Sequence, residues 1–230
     1  KSTIVIIAAL CILIIGGCSV KQNTSNIPAP AVVPPPTAKG ADINQYIIDA
    51  VLDTADKVLS AEQQVIYVNN EDVELPELYF HIYANAFRKQ ETAPFLFDDF
   101  SRAYSRGFKP GYTEIEAIEL SGGQSRSTLE YSLQGTGDTI LRIKLPEPLK
   151  PEDSINLRFK YKVIIPPAGE RFGYGDTNIN MGNWYPVAAV YDDEGWNLGE
   201  YYSIGDPFYS DVSDYTVSIK APEEYIIAAS

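Results

Sequence analysis

Over the twelve residues from 154 to 165 the chain alternates, with Ile164 the one exception. Ile155, Leu157, Phe159, Tyr161, Val163 and Ile165 share one parity, and Asn156, Arg158, Lys160 and Lys162 share the other. A period of two held this long specifies an antiparallel strand with one dry face and one wet face. A helix would place its apolar residues three and four apart. The same period recurs elsewhere. Tyr46, Ile48, Ala50 and Leu52 are followed by the turn Thr54-Ala55-Asp56-Lys57, and then Leu59, Ala61, Val65 and Tyr67 read as the hairpin partner. Leu78, Phe80 and Ile82 alternate with Tyr79, His81 and Tyr83. Leu129, Tyr131 and Leu133 lead through Gly135-Thr136-Gly137-Asp138 into Thr139, Leu141, Ile143 and Leu145, and Tyr215, Val217 and Ile219 come last. One segment breaks the rule. In "TAPFLFDDFSRAYSRG", Phe97, Phe100 and Tyr104 stand at helical spacing between Pro94 and Gly107, which predicts a short helical insertion. The fold class that follows is all-β: an antiparallel sandwich or curved sheet with one short helical insertion.

What holds such a sandwich together is narrowed by the cysteines, Cys11 and Cys18. Cys11 lies in the run Ile4–Ile15, which carries no charge and follows Lys1. That run falls short of the roughly 20 residues that span a bilayer and has the size of a signal-peptide core. It ends in Ile15-Gly16-Gly17-Cys18, small residues before a cysteine, which resembles the bacterial lipobox. On that reading residues 1–17 leave as a signal peptide, and Cys18 carries lipid and anchors the protein to a membrane of the bacterial envelope. The competing reading is an uncleaved N-terminal anchor. Both place the remainder outside the cytoplasmic membrane, and the lipobox reading leaves no cysteine for a disulfide or a thiolate metal site. Residues 18–41, "CSVKQNTSNIPAPAVVPPPTAKGA", read as a tether whose Pro34-Pro35-Pro36 favours an extended polyproline spacer. The domain itself is residues 42–230. The chain opens on Lys1 and ends in the hydrophobic "EYIIAAS", so both ends read as clipped, and strands beyond residue 230 are expected to cover an otherwise open sheet edge.

A net charge of −13 repels phosphate backbones and argues against nucleic acid as a partner. Catalytic groups are few. His81 is the one histidine, so a histidine-pair zinc site within the chain is excluded, and on a strand it reads as structural. Gly-x-Ser-x-Gly is absent, and Gly122-Gly123 lacks the lysine and helix of a phosphate loop. Asp98-Asp99, Asp192-Asp193-Glu194 and Asp206 supply carboxylates, but the run at 192–194 precedes Gly195 and reads as a turn without the spacing of a calcium loop. No catalytic residue and no metal ligand are assigned in this chain. In "NMGNWYPVAAVYDDEGWN", residues 180–197, Val187, Ala189 and Tyr191 form a strand, Asp192 to Gly195 its turn, and Trp196 the return.

Several strings taken together resemble a known family. "LDTADKVLSAEQQVIYVNN" followed by "LPELYFHIYANAF", and later "GDPFYSDVSDYTVSIKAPEEYIIAAS", are similar in order and spacing to the N-terminal β-domain of the aminopeptidase N-like zinc metallopeptidases, the gluzincins. "GNWYPVAAVYDDEGWN" looks like the form found in bacterial lipoproteins. The resemblance covers about residues 42–230. It implies a non-catalytic domain that packs beside a downstream catalytic domain and helps shape access for a peptide substrate. That second domain would bear His-Glu-x-x-His and a Gly-x-Met-x-Asn-type loop and would hold the zinc. Neither motif occurs here, and no cofactor is assigned to this chain. In the family a glutamine on a loop of this domain helps bind the substrate's free amino group. By position it falls near Met181-Gly182-Asn183, where this chain has Asn183, one methylene shorter. Asn183 and Trp184 are therefore the candidate substrate-contacting residues, set against the plain reading of Asn183 as a turn residue. Two other functions compete: a stand-alone surface lipoprotein that binds glycan or peptide through exposed Trp and Tyr, and a carboxylate-based glycosidase.

Overall fold

The computed structural model describes residues 43–95, 99–122, 125–205 and 208–229. The signal peptide, Cys18, the tether, Phe97, Asp98, Gly123 and Asp206 lie outside the described residues. The chain runs β1 (Asn44–Asp53), β2 (Val58–Val68) and β3 (Leu75–His81), then through a 3₁₀ turn at Tyr83–Phe87 and one α-helical turn, α1 (Phe100–Ala103). Five strands follow: β4 (Tyr112–Gly122), β5 (Ser125–Thr128), β6 (Tyr131–Gln134), β7 (Ile140–Leu149) and β8 (Ser154–Ile164). Short pieces come next: β9 (Phe172–Tyr174), β10 (Ile179–Met181), β11 (Val187–Ala188), β12 (Tyr191–Asp192) and β13 (Gly195–Trp196). The strand β14 (Ser213–Lys220) completes the series.

Two sheets carry the fold. One has the order β14-β1-β2-β8-β4-β5 and the other β11-β3-β7-β6. Their facing stripes meet in one core. Tyr46, Ile48, Val65, Leu157, Phe159, Tyr161 and Ile118 come from the first sheet, and Leu78, Phe80, Leu141 and Ile143 from the second. The rings of Phe80 and Phe159 cross the interlayer space edge to face at 5.0 Å. The expected all-β sandwich is thus present, and β8 is its spine: β2 and β4 flank it on either side, both antiparallel. The opposite face of β8 is wet, with Arg158 paired to Glu62, and Lys160 and Lys162 held 3.3 and 2.8 Å from Glu116. Such exposed pairs contribute about 0–1 kcal/mol each, so the dry face sets the stability.

The predicted hairpin of β1 and β2 closes with Asp53 opposite Val58. Asp53 Oδ1 accepts from the amides of Ala55 and Asp56, and Lys57 takes the left-handed backbone, φ 58°. β6 and β7 also pair as predicted. The helical insertion is a single turn. Asp99 caps it by accepting from the amide of Arg102 at 3.1 Å, and Phe100 stacks on Tyr104 at 4.4 Å.

In two respects the fold departs from the expectation. β14 runs parallel to β1, so the first sheet is not antiparallel throughout. A parallel neighbour needs a long crossover, and the whole domain lies between these strands in sequence. The second departure is β4, which period two does not reveal. A bulge between Ile115 and Ala117 shifts its register on β8. Thr113 and Ile115 precede the bulge on one parity, and Ile118 and Leu120 follow it on the other. One extra residue flips every later side chain to the opposite face, so the alternation cancels in the sequence while the dry face is continuous in space.

Exposure is uneven. Nine of the twelve large hydrophobic residues exposed among the described residues lie after position 200, from Tyr202 to Ile227. Phe159→Ala is expected to cost about 3–5 kcal/mol because it leaves a cavity at the sheet interface. Val217→Ser on β14 is expected to stay within about 0.5 kcal/mol, the range of an exposed site. Urea unfolding of the two variants, read by tryptophan fluorescence, checks the contrast.

Candidate functional site

The corner at Met181-Gly182-Asn183-Trp184 begins where β10 ends. Met181 pairs with Phe172, and the amide of Gly182 donates to the Arg171 carbonyl at 2.8 Å. A Cβ on Gly182 would lie 2.9 Å from that carbonyl oxygen, so the close approach requires glycine. Asn183 then adopts φ 49°, left-handed geometry that Asn accepts more readily than most residues. It is half-buried. Trp184, at 8% exposure, belongs to the core, with Tyr161 at 6.4 Å and Tyr185 edge-on at 5.6 Å. The structure therefore separates the two candidates. Asn183 stands at the head of the turn, and Trp184 is the anchor beneath it.

A polar relay fixes the segment that follows. Tyr161 donates its hydroxyl to Gln63 Oε1 at 3.0 Å, and Gln63 Nε2 donates to the Pro186 carbonyl at 2.7 Å. The amide of Ala188 donates to the Tyr46 hydroxyl at 3.0 Å. Gln63 and Tyr161 are buried at 0% and 1% exposure, so each polar atom needs the partner it has. Burial raises the phenols of Tyr46 and Tyr161 well above the ordinary value and keeps both hydroxyls neutral. Sequence reasoning passed over Gln63, although its mark was legible as the one polar residue in the stripe Leu59, Ala61, Val65, Tyr67.

His81 occupies the other side of the segment from 187 to 198. Its ring lies flat on Tyr83, 4.8 Å away and 4° from parallel. Nε2 is 3.2 Å from the Asn197 carbonyl oxygen, which can only accept, so Nε2 carries the proton. Nδ1 is buried without a hydrogen-bond partner. Burial pushes the imidazole below its ordinary pKa, against the Asn197 hydrogen bond, which favours the protonated form. The structural reading of His81 fits this geometry: it ties the 187–198 segment across β3. Burial also pushes the neighbouring Tyr83 phenol up to about 12.

The acidic candidates take separate places. Asp99 is the helix cap, held below its ordinary value by the Ser101 hydroxyl and the Arg102 amide. Asp192 opens the hairpin of β12 and β13, its Oδ1 accepting from the Glu194 amide at 2.9 Å, and Tyr191 pairs with Trp196 as the sequence implied. Among the described residues no group of three or more His, Cys, Asp or Glu side chains is placed to hold a metal ion. Glu71 lies near Asp211, Asp72, Asp193 and Asp192. Burial first, and then those charges, raise its carboxyl, while burial alone raises Asp211. Tyr67, Tyr79 and Tyr191 pack around Trp196 at 6.4, 5.3 and 5.2 Å, so the second tryptophan also does packing work.

Among solved structures, the chain is similar to an M1 zinc metallopeptidase from Deinococcus radiodurans at 12% identity, with a TM-score of 0.41. The alignment covers 77% of this chain and 32% of that one. A second structure of the enzyme from that organism, bound to a Tyr-Ser-Ala substrate, gives the same values. A two-domain M1 zinc metallopeptidase bound to L-tryptophan matches at 13% identity and a TM-score of 0.40, over 78% of this chain and 33% of that one. The chain thus spans about a third of the length of the solved structures it matches. No protein-family model matches it, and neither does any curated protein.

Because neutral His81 is the folded form, the folded pKa lies below the unfolded one. The His81 contribution is then complete above about pH 6.5 and is lost as pH falls through the depressed folded value. Subtracting the unfolding free energies of His81→Phe from those of the parent, pH by pH, is expected to give a flat difference above pH ~6.5 and a decline below it. The imidazole proton resonance of the one histidine should titrate below the free value. For the relay, Gln63→Ala is expected to cost about 1–3 kcal/mol, since it strands the Tyr161 hydroxyl. Tyr161→Phe in the same background should recover part of that loss in urea unfolding.

Proposed function

We propose that residues 42–230 form the non-catalytic β-domain of a membrane-anchored, zinc-dependent metallopeptidase of the aminopeptidase-like kind, packing beside the catalytic domain and shaping substrate access. The observation that carries this reading is the apolar surface after residue 200. Val217 is 47% exposed and Ile226 97%, and most of the exposed large hydrophobic residues among the described ones lie in this segment. A soluble domain does not keep such a surface against water without a partner for it. The sequence resemblance over residues 42–230 supplies the partner: a following domain that would carry His-Glu-x-x-His and the zinc. Zinc would there lower the pKa of a bound water and polarise the scissile carbonyl. This chain's part is architectural. In the same reading Trp184 anchors the turn and Asn183 stands on the substrate's side of it. Lipid on Cys18 and the proline-rich spacer of residues 18–41 would tether the assembly to a membrane of the bacterial envelope and hold it off that membrane.

Two measurements on the complete gene product test the reading. Peptide hydrolysis should be lost on chelation and restored by zinc, and Asn183→Ala should raise KM with little change in kcat. Cleavage that survives chelation, or no cleavage of any unblocked peptide, would remove the metallopeptidase from consideration. Separately, Cys18→Ser should abolish incorporation of labelled fatty acid and move the protein from the membrane to the soluble fraction. Labelling that persists in that variant would rule out the lipobox.

A further inference from the structure

The hairpin of β12 and β13 is held to the two sheets more firmly at its root than on its return side. At the root, the amide of Ala189 donates to the Tyr79 carbonyl at 2.9 Å, and β11 just before it pairs with Phe80 and His81 of β3. The hairpin then closes on itself. Tyr191 stands opposite Trp196, and the Asn197 amide donates to the Val190 carbonyl at 2.8 Å. Among the described residues, one hydrogen bond ties residues 190–198 to the sheets: His81 Nε2 donates to the Asn197 carbonyl at 3.2 Å. Beyond that bond, Trp196 rests by packing on Tyr67 and Tyr79. An element with so few ties opens locally at a free energy below that of global unfolding.

The residue that makes this tie has no counter-charge. His81 is 2% exposed, and its Nδ1 is buried without a hydrogen-bond partner. Ile140 of β7 stands opposite it on one side and Val187 of β11 on the other, and neither accepts an N–H. One ring face lies on Tyr83, which in turn meets Tyr201 and Phe208. The charged groups on the same face of the second sheet are Glu77, Arg142 and Lys144, two and four residues further along the strands. Glu77 is engaged by Arg142 and by the Tyr79 hydroxyl. Asp138, just before β7, pairs with Arg88, and Glu200, past the hairpin, accepts from Thr136. Asp192, Asp193 and Glu194 lie at the hairpin tip. A protonated ring here buries a cation whose second N–H is unpaired, and opening the hairpin returns both to water.

We infer that His81 is a proton-operated latch: neutral, it holds the return side of the β12–β13 hairpin, and protonated, it releases residues 190–198 and uncovers Tyr79 and Trp196 while the two-sheet core stays folded. The inference goes beyond the proposed function and stands whether or not the chain belongs to a peptidase. Its sign follows from the two forms. The closed form holds the ring below its ordinary value, and the open form restores it to about 6.5, so acid favours opening.

Hydrogen exchange on the full chain, read by mass spectrometry and corrected for the intrinsic rate at each pH, tests the latch. Peptides covering residues 189–198 should lose protection by about tenfold or more between pH ~8 and pH ~5, while those covering β8 keep theirs. His81→Phe keeps a ring on Tyr83 and His81→Gln keeps an N–H donor, and neither side chain titrates. In both variants the protection of residues 189–198 should change by less than about twofold over that range. Melting temperatures near the parent's show that the variants fold. Protection in the parent that holds at the lower pH would overturn the inference. So would an equal loss in both variants, which would assign the effect to Asp192, Asp193 and Glu194. A loss that β8 shares would also overturn it, because the whole domain and not the hairpin would then be opening.

Discussion

One strand bears the weight of this fold. β8 is paired with β2 along its whole length and with β4 from Leu157 to Ile164, and its dry face supplies Leu157, Phe159, Tyr161 and Val163 to the space between the sheets. Non-directional burial brings the layers together, but the Tyr161 hydroxyl adds a directional tie. Through Gln63 it reaches the Pro186 carbonyl and so fixes a segment far along the chain. The irregular stretch from 181 to 198 therefore has a defined place although little of it is strand. Trp184 inserts on one side of that stretch and Trp196 on the other, and Asn183 is left at the turn between β10 and the buried corner.

That arrangement changes what the aromatic residues mean. Both tryptophans are spent on packing, and the exposed aromatic and aliphatic side chains are displaced to the segment from Tyr202 to Ile227. The most exposed apolar surface among the described residues is thus not the tryptophan-rich stretch. It is the outer row of the first sheet and the chain that follows it. The buried polar groups of this domain, Gln63 and Tyr161 among them, serve to position backbone.

How much could be read beforehand depended on local regularity. β1, β6, β7 and β8 were legible from their alternation, β2 from the same alternation despite Gln63, and the Asp192–Gly195 turn because glycine marks it. β4 was hidden by its bulge, which shifts the apolar parity between Ile115 and Ile118. The parallel placement of β14 was hidden for a different reason: its partner is fixed by the whole topology, and the strand's own residues read the same in either direction. At the corner, sequence picked out Asn183 and Trp184 together. Only burial distinguishes the anchor from the turn residue. Gln63 was visible as an interruption, but a polar residue on a dry face has no stated purpose until Tyr161 and Pro186 stand on either side of it.

The parallel ladder between β1 and β14 has a mechanical consequence. Eight residue pairs register from Asn44 with Ser213 to Val51 with Lys220. The chain enters this ladder at Asn44, at one end, and leaves it after Lys220, at the other. Tension between those two points loads the pair in shear, so the rungs strain together instead of unzipping one at a time. A domain held at its front and drawn from behind would meet that force with its stiffest geometry.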